Sequence, residues 1–426
     1  MDTDRRTVLG YGAAAGVALT VAGARPAVAA PRWQVRGPRS PGLEAFDATI
    51  ERYMAARGIR SGSLAVARDG RLMLARGYAR GPRGPEPVRH TSLFRVASLS
   101  KPITAAAIMK LVDDGRLDLS ARVTDLVPME PAPGFDRDGR LDDITVLHLL
   151  QHHGGWDRFA QNSFDPMFAD GFIADTLGRR LPVRPRQIVR FMSGRPLDFD
   201  PGARYAYSNF GYLLLGQVLR RVTGRPYRRA VQELVLAPLG IDGMRLARTR
   251  RRRRVDNEVV YRSRLRGPSV LTDSGAAVRA PYGTFRIENM AAHGGWLASA
   301  VDLVRFAGAF DDTPRTRVLS ADAVETVFAQ PSTGTEPSGS WYGCGWQVRP
   351  AGDGRNTWHT GSLPGTTTLL VRRWDGLSWA ALFNQRDDRR DPGGVTYFDI
   401  DGELHDAADS VTSWPTRDLY RHPSLR

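Results

Sequence analysis

Residues 94–104 read Phe94-Arg95-Val96-Ala97-Ser98-Leu99-Ser100-Lys101-Pro102-Ile103-Thr104 and hold the only S-x-x-K of the chain. They open a long apolar-striped segment that ends near Gly115, which predicts a helix over 101–114 with Ser98 and Lys101 on one face. A serine hydroxyl is a poor nucleophile until a neighbour takes its proton, and a lysine amine can do so only where burial lowers its pKa. Arginine, never deprotonated in practice, cannot serve. The point matters in this chain because only two of its 60 basic residues are lysines, Lys101 and Lys110.

Two further motifs lie downstream. Tyr207-Ser208-Asn209 is the only Y-x-N among twelve tyrosines; it follows the turn Asp200-Pro201-Gly202 and opens an apolar helix expected over 210–223. Trp358-His359-Thr360-Gly361-Ser362 ends a strand-like stretch, with Gly361 expected to let a ligand approach the backbone.

The secondary-structure pattern is that of an α/β protein. An amphipathic helix over 43–57 precedes short apolar runs at 63–67 and 72–78, joined by Arg68-Asp69-Gly70-Arg71, a hairpin signal. Strand-like runs return at 343–348, 367–371 and 379–383. Helical patterns fill the middle, at 145–151, 210–223, 227–236, 300–310 and 321–328. Terminal strands around a helical middle predict an antiparallel sheet formed by the N- and C-terminal segments and flanked by helices, with an inserted mostly helical domain.

Together the three motifs resemble those of the penicillin-recognising serine hydrolases, in the branch of class C β-lactamases, D,D-carboxypeptidases and family VIII esterases. The resemblance spans residues 43–384, with further landmarks in Ile144-Thr145-Val146-Leu147-His148-Leu149-Leu150-Gln151-His152, Pro201-Gly202-Ala203-Arg204-Tyr205, Ala237-Pro238-Leu239-Gly240 and Gly294-Gly295-Trp296-Leu297-Ala298-Ser299. It implies that Ser98 is acylated and that Lys101 and Tyr207 share the acid/base work. It also implies that Asn209 hydrogen-bonds the amide or ester side of the substrate, and that the backbone N–H groups of Ser98 and Ser362 form an oxyanion hole. His359, Thr360, Gly361 and Ser362 would line the substrate side, and neither metal nor cofactor is called for.

Three departures qualify the substrate. His359 stands where the group usually has lysine, so a fixed charge for a substrate carboxylate is missing and neutral esters are expected to be preferred. No E-x-x-N occurs among the ten glutamates, which leaves water activation to Tyr207 and Lys101. Gly154-Gly155-Trp156 replaces a Ser-Gly-Leu-like turn along one wall of the cleft. The expected activity is that of an exported serine hydrolase acting through an acyl-enzyme on an ester or peptide-like substrate. D,D-carboxypeptidase or D-aminopeptidase activity comes second, β-lactamase activity third, and a catalytically silent muropeptide- or β-lactam-binding protein is the alternative of another class.

The other chemically capable residues read as structural. His148 and His152 have a helical i,i+4 spacing but no third metal ligand nearby in sequence, His293 reads as a loop-packing residue, and Cys344 as a small buried filler on a strand. Trp358 reads as core packing.

Composition bounds the rest. The chain has 426 residues, 42% hydrophobic and 25% charged, with a net charge of +15 spread along its length. A fibre, a disordered tail or a disulfide scaffold is excluded. The five arginines at 250–254 read as a solvated surface segment, and no nucleic-acid partner is expected. Residues 1–29 combine Arg5-Arg6, an uncharged Gly/Ala/Val stretch and the small-residue site Ala27-Val28-Ala29, resembling a twin-arginine export signal. A linker over 30–42, a catalytic domain over 43–390, a C-terminal extension over 391–426, a secreted or cell-envelope location and no stable membrane insertion are expected.

Overall fold

The computed structural model describes residues 32–81, 87–160, 165–311, 318–386, 388 and 397–425; the expected export signal lies outside them. The hairpin at Asp69-Gly70 joins strands Ser61–Arg68 and Arg71–Gly81, with both turn residues at positive φ (49° and 71°), which suits the right-handed twist of the paired strands. Ser61–Arg68 also pairs antiparallel with Leu377–Phe383, Leu64 opposite Ala381, so the two ends of the chain meet in one sheet. Beyond Leu377–Phe383 follow Thr366–Arg372, Gly354–Leu363, Gln347–Ala351 and Trp341–Tyr342, while Arg32–Arg36 pairs with Arg71–Gly81 at the other edge. The sheet therefore has eight antiparallel strands.

Alternate residues of the central strands serve two cores, as the pleat requires. Leu64, Val66, Trp379, Ala381 and Phe383 pack against helices Glu44–Arg57 and Ile400–Asp409. Ala65, Ala67, Ala380 and Leu382 face the larger core on the other side, where helix Ala300–Ala307 crosses the sheet. Three of these four side chains are alanines, which lets that helix approach closely. With both faces covered, the strands read as continuous apolar runs rather than an alternation. The larger core continues into the helical body around Ser100–Asp113, Asn209–Thr223 and Tyr227–Val231. Among the described residues no helix is long and apolar enough to cross a membrane.

Several sequence boundaries shift. The expected linker contains the edge strand Arg32–Arg36, and the expected C-terminal extension supplies Ile400–Asp409, whose Leu404 is fully buried on the sheet. Both segments are polar enough to pass for surface, and only pairing or docking gives them structure. Of the stretch expected as a strand at 343–348, residues 343–346 form a turn after Trp341–Tyr342 and only 347 and 348 belong to a strand, Gln347–Ala351. Gly345, at φ 85°, presses there on the Ser100–Asp113 helix, where an added Cβ would sit 2.7 Å from Ala105 Cβ. The helix expected over 227–236 becomes π-helical from Gln232, and that over 300–310 ends at Ala307 in a 3₁₀ turn. The arginines at 250–253 are exposed, with Arg251–Arg253 forming a short 3₁₀ turn.

Candidate active site

Strand Phe94–Arg95 pairs with Trp296–Ala298, and the chain then turns sharply into helix Ser100–Asp113. The turn holds Ala97 at φ +49° and Ser98 in a 3₁₀ segment. A left-handed alanine is strained by roughly 1 kcal/mol or more and persists only where the surroundings over-determine it. Those surroundings are strands Gly354–Leu363 and Thr366–Arg372: Thr366 and Thr368 donate their hydroxyls to the Arg95 and Val96 carbonyls at 3.0 and 2.9 Å. At Gly361 an added Cβ would lie 2.2 Å from Thr368 Oγ1 and 2.5 Å from the Val96 carbonyl oxygen. Gly361 thus admits the turn that carries Ser98, rather than a ligand as the sequence suggested.

Lys101 is fully buried, one helical turn beyond Ser98. Its Nζ donates to Asn209 Oδ1 at 2.7 Å and to the His293 carbonyl at 3.2 Å, and lies 3.3 Å from Ser98 Oγ. The first two partners only accept, whereas the hydroxyl can also donate. A neutral amine fits this set: two N–H bonds inward and a lone pair toward Ser98. Burial pushes the Lys101 pKa well below its ordinary value, opposed by the Asp165 carboxylate and reinforced by the Arg158 guanidinium.

Asn209 opens helix Asn209–Thr223, whose N-cap Ser208 accepts from the Gly211 N–H. Its amide is used inward: while Oδ1 receives Lys101, Nδ2 donates to Asp165 Oδ2. The expected contact of Asn209 with substrate therefore competes with a protein network. Asp165, which sequence reasoning missed, precedes a proline and reads as an ordinary turn. Tyr207 places its ring 4.5 Å from Lys101 Nζ, and it lines the cleft together with Ser98. Burial pushes that phenol above its ordinary pKa, so at neutral pH it is a proton donor. The loop carrying Tyr207 rests on His152, whose Nδ1 accepts from the Ser208 N–H at 3.1 Å and whose ring centre is 4.3 Å from that of Tyr207.

His359 lines the cleft, as expected, but it is 4% exposed and both ring nitrogens are engaged, with Nδ1 donating to the Thr360 carbonyl at 2.6 Å and Nε2 accepting from the Tyr342 hydroxyl at 3.0 Å. Burial, helped by nearby Lys101, lowers its pKa to about 3. Thr360 and Ser362 line the cleft beside Ser98, and Ser362 is exposed. This end of strand Gly354–Leu363 runs past the Gln347–Trp358 pair, where pairing with Gln347–Ala351 stops, so the edge turned from Thr366–Arg372 is open to the Ser98 turn.

The cleft encloses about 660 Å³. Its mouth carries Phe159, Phe168 and Phe398, 78%, 45% and 48% exposed, together with two guanidinium groups, Arg158 and Arg386. Arg158 lies over the Phe159 and Tyr207 rings at 4.7 and 4.8 Å, and Arg386 is tied to Asp388 at 3.5 Å. The sequence assigned none of these to the site, because each sits in a loop with no motif.

The remaining candidates are engaged structurally. His148 Nδ1 accepts from the Thr145 N–H in a capping box, and His293 contributes its carbonyl to Lys101 while Nε2 meets Met167 Sδ at 2.8 Å. Cys344 is buried in the turn before Gln347–Ala351, not on a strand, and its thiol pKa is raised to about 12. Trp358 packs on the outer core. No group of three His, Cys, Asp or Glu side chains able to hold a metal ion occurs among the described residues.

Comparison with known proteins agrees with this geometry at the level of family. The family model described as Beta-lactamase matches residues 46–401. Esterase EstB of Burkholderia gladioli is 33% identical over 197 residues, 46% of this chain and 49% of that protein. The chain spans about half or less of the length of the curated relatives it matches. Among solved structures, a D-stereospecific amidohydrolase from Streptomyces sp. superposes with a TM-score of 0.59 at 26% identity, covering 82% of this chain and 95% of that one. D-amino acid amidase from Ochrobactrum anthropi shares the fold, with a TM-score of 0.64 at 21% identity over 87% of this chain and 98% of that one.

Proposed function

Because this chain belongs to the beta-lactamase family, a family of serine hydrolases, we propose that it hydrolyses an ester or amide bond through an acyl-enzyme on Ser98. The observation that carries the reading is the placement of a fully buried Lys101 Nζ 3.3 Å from Ser98 Oγ, with its other two contacts to obligate acceptors. As Oγ attacks the substrate carbonyl carbon, its proton passes to the Lys101 lone pair and the carbonyl oxygen becomes an oxyanion held by the Ser98 and Ser362 N–H groups. The neutral Tyr207 phenol protonates the leaving group as the tetrahedral intermediate collapses, and the phenolate is reprotonated by the Lys101 ammonium, which gives up the proton it took from Ser98 and returns to the neutral amine. Deacylation repeats the sequence with water as the nucleophile.

The mouth of the cleft supports a substrate with an apolar arm, an ester first among the candidates given the similarity to esterase EstB. The second reading is a D-amino-acid amide, favoured by the similarity to the Streptomyces amidohydrolase, or a peptide-like substrate with a free carboxylate, which Arg158 and Arg386 can meet where His359 cannot. The N-terminal residues support export as part of the same proposal.

The test is intact-mass labelling with a fluorophosphonate, followed by hydrolysis of short-chain aryl esters, D-amino-acid amides, D-Ala-D-Ala peptides and a chromogenic cephalosporin. One adduct on the peptide containing Ser98, lost in Ser98→Ala, is expected. Lys101→Arg should lower kcat/KM about 10²-fold or more, since a guanidinium cannot act as the base. Labelling elsewhere, or near-normal turnover by Lys101→Arg, rejects the reading.

A further inference from the structure

The Lys101–Asn209 contact continues to a half-buried carboxylate, Asp165, which has no part in the proton transfers proposed for Ser98, Lys101 and Tyr207. Asp165 Oδ2 accepts from Asn209 Nδ2, while Asp165 Oδ1 accepts from the Met167 N–H at 3.0 Å and caps the 3₁₀ turn Pro166–Phe168. That bond fixes the orientation of the amide: an anionic acceptor admits only the NH₂ end of Asn209, which turns Oδ1 toward Lys101. Met167 of the same turn touches the His293 imidazole, and the His293 carbonyl receives the second Lys101 proton. One short segment, 165–168, therefore stands behind both acceptors of the lysine.

We infer that Asp165 is a positioning residue of the reaction: acting through Asn209, its carboxylate holds the Lys101 amine in the orientation that leaves its lone pair on Ser98. The inference rests on the reading of Ser98 and Lys101 given above. It also assigns Asp165 an electrostatic effect. The groups facing Lys101 are Ser98, Tyr207 and Tyr212, the imidazoles of His152, His293 and His359, the Arg158 guanidinium and the Asp165 carboxylate. Burial keeps the three histidines neutral and the two phenols protonated. Asp165 is thus the anion that favours the ammonium form against burial and Arg158.

The rate of Ser98 modification by a fluorophosphonate, followed by intact mass from pH 5 to 10, reads this without knowledge of the natural substrate. In the wild type the rate rises with pH as Lys101 loses its proton. Asp165→Asn keeps an acceptor for Asn209 Nδ2 but removes the charge, so the midpoint moves down by about one pH unit with a plateau within about threefold of wild type. Asp165→Ala moves the midpoint the same way and lowers the plateau about tenfold or more, because the amide is then free to turn. Midpoints and plateaus matching wild type in both variants overturn the inference; should the alanine variant fail to fold, an unmoved midpoint in the near-isosteric Asp165→Asn does so alone. A wild-type protein that does not label at Ser98 rejects the proposed function and this inference with it. Labelling at Ser98 with no displacement of the midpoint rejects the role of Asp165 only.

Discussion

The Tyr342 hydroxyl donates to His359 Nε2 at 3.0 Å, so the third motif presents a neutral, hydrogen-bonded imidazole and no fixed positive charge. With its pKa near 3, His359 stays uncharged throughout the working range of an enzyme. The ratio of kcat/KM for a matched neutral and anionic aryl ester should therefore show no inflection attributable to His359 between pH 5.5 and 8.5. His359→Lys would place an ammonium in a buried site already containing Lys101, and should destabilise the fold by roughly 3 kcal/mol or more rather than restore carboxylate binding. A lowered melting temperature checks this; a stable variant with tenfold better use of the anionic ester contradicts it.

Selectivity for charge should instead follow Arg158. An exposed guanidinium contributes about 0.2–1 kcal/mol to an ion pair, so Arg158→Ala should weaken kcat/KM for the anionic ester by about 1.4- to fivefold relative to its neutral partner. Raising the salt concentration should shrink the wild-type difference in the same direction. Equal loss on both esters would place Arg158 in support of Tyr207 instead, through the ring it covers.

Gly361→Ala tests the support of the nucleophile turn. The new methyl would fall at 2.2 Å from Thr368 Oγ1 and 2.5 Å from the Val96 carbonyl oxygen, neither of which can withdraw without breaking the bond between them. Overpacking of this kind costs roughly 1–3 kcal/mol, and any relief moves Ala97 and Ser98. A loss of fluorophosphonate labelling larger than the loss of stability is expected, measured by labelling rate and thermal melting on the same sample.

Asp170, 1% exposed, accepts from Asn289 Nδ2 at 3.2 Å, and burial raises its pKa from 3.8 to about 7. The folded state thus keeps a proton that the unfolded chain gives up, so stability is greatest below pH 3.8 as far as this group is concerned and falls as pH rises to 7. The whole penalty is present above 7, at most about 4 kcal/mol. Asp170→Asn should raise the melting temperature by a few degrees at pH 8 and much less at pH 5. An equal change at both pH values would show that the carboxyl does not titrate in that range.

The chemistry of this protein is legible in short stretches because the groups involved are unusual by type or local by geometry. Ser98 and Lys101 lie one helical turn apart, so sequence spacing alone brings them together, and a lysine kept among arginines marks a group that must lose a proton. The Asp69-Gly70 hairpin and the helices over 100–113 and 321–328 are fixed by turn chemistry and apolar period within a dozen residues. What the sequence left open depends on chain segments far apart. The edge strand at 32–36 and the helix at 400–409 gain order only by joining a sheet whose other members come from both ends of the chain. Gly361 reads as a ligand-facing glycine until the Val96 carbonyl is found against it. His359 is placed in the cleft by its motif, but its lowered pKa follows only once burial and Lys101 act on it, because a pKa is set by burial and neighbouring charge, which spacing does not encode. Asp165 carries no signal of its own: a turn residue before a proline joins the lysine network only when Asn209, 44 residues later in the chain, is folded onto it.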